Sequence, residues 1–215
     1  MRYIRGTPDG AHTKALSRVT HDYSHVKPAS DVAFEAYRSH YLLDRKDLNP
    51  VLESAQGNPG WKQLRIVIAA AYGSEKLPLY IVLPKSGKPP YQVVVYHPGQ
   101  EARIRGASSA VVPFPVDYIV RAGRAVVLPV LSDTYERFNG RRPQSPIEVR
   151  DESVRRFQDI VRTLEYLETP SDIDKQRIAY LGHSWGAAFG PIVLALEPRF
   201  KAGVLQSGRT RRVAA

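Results

Sequence analysis

The sequence contains no cysteine. Disulfides and thiolate metal sites are therefore excluded, and the redox compartment leaves no trace in it. Long apolar runs are also missing: no stretch reaches the ~18 residues that a membrane-spanning helix requires. The opening residues, MRYIRGTPDGAHTKALSRV, lack the apolar core of a secretory signal, so the expectation is a cytoplasmic protein with no membrane span. Acidic residues are fewer than basic ones, 21 against 31, for a net charge of +10. Such an excess points to an anionic polymer only where the charge gathers on one surface. Here the arginines are scattered from Arg2 to Arg212, with no aromatic interleaving and no recognisable nucleic-acid module, so no nucleic-acid partner is expected. The last scarcity concerns chemistry. Beyond Ser184 there is no histidine and no aspartate, and Glu197 is the only carboxylate.

The 215 residues are 43% hydrophobic and 24% charged, ordinary values for a globular protein with a sizeable core. Residues 1–60 read as an N-terminal tail with a short helical segment, 61–208 as the core domain, and 209–215 as a basic tail. His21 and His25 would share one helix face, but Pro28 follows closely and no carboxylate motif completes a metal site. Neither a metal nor an organic cofactor is implied by any spacing. From Asp31, the expected cap, Val32, Phe34, Ala36, Tyr37, Tyr41 and Leu42 recur at helical spacing, and the apolar stripe is expected to pack on the main body.

Gln56-Gly57-Asn58-Pro59-Gly60 is turn chemistry and marks the expected entry to the core. Alternation over Leu64–Ala70 and the run Leu77–Leu83 predict an antiparallel hairpin. Tyr91–Tyr96 and Arg124–Pro129 are continuous apolar runs of the kind found in strands covered on both faces. Between them, Val116–Ala122 can form a helix. Leu131–Val149 reads as a long loop bordering the site, its arginines hinting at an anionic group on the substrate. A helix is expected from Asp151 to Leu167, with Val154, Phe157, Ile160, Val161, Leu164 and Leu167 on its apolar face. Phe200–Gln206 closes the pattern as a last strand. Repeated strand–helix–strand units predict an α/β fold with a mostly parallel, doubly covered sheet behind an N-terminal antiparallel hairpin.

The stretch that organises the rest is Gly182-His183-Ser184-Trp185-Gly186, set between the apolar run Arg177–Leu181 and the small-residue start of a helix over Ala187–Leu196. A G-x-S-x-G in that context is a nucleophile elbow: the sharp turn strains the serine backbone and exposes its hydroxyl. Ser184 is accordingly the expected catalytic nucleophile. His183 points away from it at such an elbow and is expected to be structural.

With the elbow in place, the chain resembles the α/β-hydrolase superfamily. Lys62–Gly208 is similar to its esterase-like group of dienelactone hydrolases, acetyl xylan esterases and prolyl-oligopeptidase-like domains. The segments Asp44–Asn49, Ala71-Tyr72-Gly73 and Pro89–Gln92 look like hydrolase domains attached to some bacterial serine/threonine kinases. The resemblance implies a serine esterase acting on a small-molecule ester through a Ser184 acyl-enzyme. It also places an oxyanion-hole loop at His97-Pro98-Gly99-Gln100. One donor would be the Trp185 N–H and the other the Gly99 or Gln100 N–H; Pro98 has none to give. His97 is expected to orient that loop, with a role as base the less favoured alternative. The family order is nucleophile, acid, histidine, so the missing acid and histidine imply a catalytic domain lacking its last strands. An exposed sheet edge prone to self-association is expected to follow. A hydrolase-like binding module without catalysis is the competing reading.

Overall fold

The computed structural model describes residues 25–108 and 116–208. The expected tail over residues 1–28 lies mostly outside them, as do His21 and the basic tail 209–215. The chain divides into two compact units, residues 1–35 and 36–215. Helix α1 (Asp31–Ser39) runs across that division. Its cap is Ser30 rather than Asp31: Ser30 Oγ accepts from the Ala33 N–H at 3.3 Å, which leaves Asp31 in the first turn where the dipole favours a carboxylate. None of the helix is buried, so its apolar stripe does not pack as expected. Tyr41, just beyond the helix, instead sets its ring edge-on to Phe157 at 5.3 Å.

Among the described residues, a seven-stranded sheet organises the second unit, in the order β1-β2-β3-β5-β4-β6-β7. The strands are β1 (Val51–Gly57), β2 (Trp61–Ala69), β3 (Lys76–Pro84), β4 (Tyr91–His97), β5 (Ala125–Pro129), β6 (Ile173–His183) and β7 (Phe200–Gln206). Antiparallel pairing joins β1 to β2, β2 to β3 and β3 to β5; pairing is parallel from β5 through β4 and β6 to β7. The sheet thus begins at Val51, one strand earlier than the apolar pattern suggests. Every residue of β1 is exposed, so no alternation marks it as a strand. The Gln56–Gly60 turn lies inside a hairpin, with Asn58 Oδ1 accepting from the Gly60 and Trp61 N–H groups at 2.9 and 3.1 Å.

Alternation along the inner strands builds two cores. Leu79, Ile81, Val93, Val95, Val127 and Ile178 face one way and pack with Phe157, Ile160, Leu164 and Leu167 of α3 (Pro146–Leu167) and Phe189 and Val193 of α4 (Trp185–Leu196). Tyr80, Val82, Val126, Leu128 and Leu181 face the other way, toward Ile119 and Val120 of α2 (Asp117–Arg121) and toward Tyr135. A side-chain period of two delivers both faces from one run of apolar residues. At its far edge, β7 keeps only Phe200 buried; Val204 is 57% exposed and Leu205 43%.

Helix α3 starts earlier than its apolar stripe. Ser145 is the N-cap, its Oγ accepting from the Glu148 N–H at 3.2 Å, and Pro146 opens the first turn. Ser145-Pro146-Ile147-Glu148 is a capping signature that outweighs the acidic pair Asp151-Glu152 as a start signal. The same helix turns polar groups inward. Arg162 is fully buried and donates to the carbonyls of Lys46, Asp47 and Ala69. Asp159, also fully buried, accepts from the Arg137 guanidinium at 2.7 Å, the Ser132 N–H at 2.7 Å and the Tyr72 hydroxyl at 2.9 Å. Burial pushes the Asp159 carboxyl up, while the Arg137 charge and these donors pull it down. Asp159 therefore ties the β2–β3 turn and the loop after β5 to α3. No helix among the described residues is long and apolar enough to cross a membrane.

Candidate active site

Ser184 sits between the end of β6 and the first turn of α4, with φ 50° and ψ −105°. A non-glycine residue with positive φ costs about 1–3 kcal/mol and survives only where its surroundings hold it. The holding contacts are specific. The Ser184 N–H donates to the Gln206 carbonyl of β7 at 2.8 Å, and the Gly186 N–H donates to the Pro98 carbonyl at 3.2 Å. Tyr180 of β6 donates its hydroxyl proton to the Gly186 carbonyl at 2.7 Å.

The two glycines of the motif mark close passages of backbone. A Cβ on Gly182 would lie 2.5 Å from the Gly186 carbonyl oxygen, and one on Gly186 would lie 2.3 Å from that of His97. Strand β4 pairs with β6 in register His97↔Gly182, which brings the loop after β4 against the elbow. Gly186→Ala is expected to cost about 1–3 kcal/mol, toward the upper end because the obstructing atom is backbone. Urea denaturation of the variant checks this; an unchanged midpoint would mean that the loop moves aside freely.

His97 is 1% exposed, and its Nδ1 lies 2.8 Å from the Tyr180 hydroxyl. Since Tyr180 has already given its proton to Gly186, His97 must donate Nδ1–H to it, leaving Nε2 as a buried lone pair without a partner. Burial, helped by the positive charge of Arg156, lowers the His97 pKa to about 3. The ring is thus a neutral post for the elbow, packed edge-on to Trp185 and Phe189, and its environment is wrong for a base working near neutrality. His183 ends β6, half-buried and paired in the ladder with Gln206.

Of the expected oxyanion donors, Trp185 N–H belongs to the first turn of α4, where amides have no intrahelical partner. Gly99 lies against the serine across the fold: a Cβ placed on it would lie 3.1 Å from Ser184 Cβ. Its N–H, however, already donates to Glu101 Oε1 at 2.9 Å. Gln100 opens the 3-10 turn Gln100–Arg103 that follows.

Around Trp185 lies a charged cluster that apolar periodicity could not reveal. The Arg156 guanidinium stands 4.3 Å from the indole centroid and that of Arg103 stands 5.0 Å away. Glu152 bridges them, at 2.9 Å from Arg103 and 2.8 Å from Arg156, and Arg103 also pairs with the buried Asp133. Burial and the like charge of Arg103 depress the Arg156 pKa to about 10. A polar cleft of about 200 Å³ opens beside this cluster, lined by Ser132, Asp133, Arg137, Glu152 and Arg155 among others. Arg137, read from sequence as a hint of an anionic substrate, is instead committed to Asp159, Glu75 and the Val130 carbonyl. Tyr135 of the same loop is buried, and Arg141 pairs with Glu148. A separate cavity of about 280 Å³, lined by Tyr41, Phe157, Val161, Leu196 and Arg199, lies on the α3–α4 side and does not include Ser184. Among the described residues, no three His, Asp or Glu side chains are grouped to hold a metal ion.

No family model and no curated protein matches the chain in sequence. Solved structures match its fold. Acetyl xylan esterase 1 from Thermoanaerobacterium sp. superimposes with a TM-score of 0.63 at 16% identity, over 81% of this chain and 58% of that one. A glucuronoyl esterase from Solibacter usitatus gives 0.57 at 15% identity, over 80% and 56%. A candidate dienelactone hydrolase from Klebsiella pneumoniae gives 0.51 at 17% identity, over 69% and 61%. The chain spans less than two thirds of the length of each. With its mixed sheet and the serine turn between β6 and α4, this chain has the α/β-hydrolase fold. Within that fold, the structures it is similar to are those of esterases and a dienelactone hydrolase.

Proposed function

We propose that the protein is a serine hydrolase of the esterase type, acting on a small-molecule carboxylic ester. The observation that carries the reading is Ser184 at positive φ on a strand-to-helix turn, pressed against the loop His97–Gln100. Ser184 Oγ would bond to the ester carbonyl carbon while its proton passes to a base. The tetrahedral anion would be held by the Trp185 N–H and the Gly99 or Gln100 N–H. Collapse would release the alcohol, which takes up the proton, and leave an acyl-serine. Water would then attack that ester and release the acid. Losing one oxyanion donor typically costs ~3 kcal/mol of transition-state stabilisation, and losing the base costs on the order of a million-fold in rate. His97, neutral and bonded to Tyr180, does not fill the role of base.

The test is labelling with a fluorophosphonate, which captures an activated serine, in the wild type and in Ser184→Ala. Labelling of the wild type that disappears in the variant is expected. A folded wild type that takes no label would favour a non-catalytic ligand-binding module. One observation already leans that way: the Gly99 amide is engaged by a carboxylate of the chain itself.

A further inference from the structure

We infer that Glu101 is the gate of the Ser184 site: its carboxylate occupies the Gly99 amide that would bind the substrate oxyanion and must swing aside before an ester carbonyl can enter. The inference rests on the reading of Ser184 as nucleophile. Glu101 Oε1 accepts from the Gly99 N–H at 2.9 Å. Its other oxygen lies on the serine side of the same glycine. A Cβ built on Gly99 would meet Glu101 Oε2 at 2.3 Å and Ser184 Cβ at 3.1 Å, so the carboxylate and the serine flank one point of the backbone.

The local chain explains why the carboxylate stays there. Gly99 caps the Gln100–Arg103 turn but has no side chain with which to satisfy an amide, and Glu101 supplies the acceptor from two residues on. Arg103, the nearest cation in sequence, is turned away to Asp133 and Glu152. Burial holds the Tyr96 and Tyr135 phenols above the usual tyrosine range, and the negative charge of Glu101 adds to it in both.

A carboxylate oxygen on an oxyanion donor has the charge and position of the tetrahedral intermediate, and a hydrogen bond to a charged acceptor is roughly twice as strong as one to a neutral acceptor. A neutral ester carbonyl is the poorer acceptor and enters only at the expense of that bond. The tetrahedral anion competes on equal terms. Glu101 thus raises the threshold for binding in the ground state while leaving intact a donor arranged for an anion. Such a residue makes activity depend on contacts elsewhere on the substrate that draw Glu101 away.

Two measurements on Glu101→Ala and Glu101→Gln, each checked for folding by circular dichroism, decide the matter. In two-dimensional amide NMR, the Gly99 N–H of the wild type should be shifted downfield and protected from exchange, and Glu101→Ala should lose both properties. A neutral alkyl fluorophosphonate should label Ser184 of Glu101→Ala about tenfold faster than the wild type, the equivalent of one charge-assisted hydrogen bond. Glu101→Gln, still able to accept but uncharged, should fall between them. Equal or slower labelling of both variants would overturn the gate and leave the nucleophile standing. Absence of label from all three folded proteins would remove the serine-hydrolase reading, and the gate with it.

Discussion

Asp159→Ala is expected to destabilise the protein by about 3–5 kcal/mol, the cost of breaking a buried ion pair from one side. The carboxylate is fully buried and accepts from Tyr72 of the β2–β3 turn and from Ser132 and Arg137 of the loop after β5. Its removal leaves the Arg137 guanidinium, itself only 9% exposed, with Glu75 as its remaining ionic partner, and Glu75 is half in solvent. For a chain of this size the loss corresponds to a fall in Tm of roughly 10 °C. Asp159→Asn keeps an acceptor and should lose less. A double-mutant cycle with Arg137→Ala isolates the pair, since both singles disturb the same network. Single variants whose losses simply add would mean that Asp159 and Arg137 act independently, and the account of the loop anchor would fall.

The second large effect depends on pH. His97 is neutral and buried with its pKa held at about 3, whereas an unfolded histidine titrates near ~6.5. Between those values the unfolded chain binds a proton at this position and the folded chain does not. The stabilisation is therefore whole above pH ~6.5 and drains away as the pH falls toward 3, to a total on the order of 5 kcal/mol. Urea denaturation at pH 7 and 4.5 should show the wild type losing roughly 2–3 kcal/mol more than His97→Gln over that interval. Carboxylates titrate in both proteins and cancel in the comparison. Parallel losses would mean that water reaches the ring and that the elbow rests on other contacts.

Much of the fold is legible because its signals are local. The runs Tyr91–Tyr96 and Ala125–Pro129 are too short for helices and apolar on both faces, and both are buried strands. Glycines two residues either side of Ser184 announce the elbow, and the backbone approaches at Gly182 and Gly186 give the reason. Strand β1 was not legible because an edge strand exposed along its whole length needs no alternation. The start of α3 is legible in Ser145 and Glu148, which form a cap ahead of the acidic residues that the dipole argument favours.

The chemistry around the serine divides along the same line. That Ser184 sits on a sharp turn, that His97–Gln100 follows a strand and that Pro98 cannot donate an N–H are properties of neighbours in sequence. The sequence alone determined those features, along with the alternating α/β order and the absence of thiol chemistry. Only the tertiary structure decided what each polar group faces. Parallel pairing of β4 with β6 brings His97 beneath Gly186 and Gly99 beside Ser184. The fold also turns Arg137 inward to Asp159 and sets Glu101 on the Gly99 amide. Periodicity reports which side of an element is buried. It carries no information about which partner a buried charge meets, because the sheet order that assembles those partners joins residues far apart in the chain.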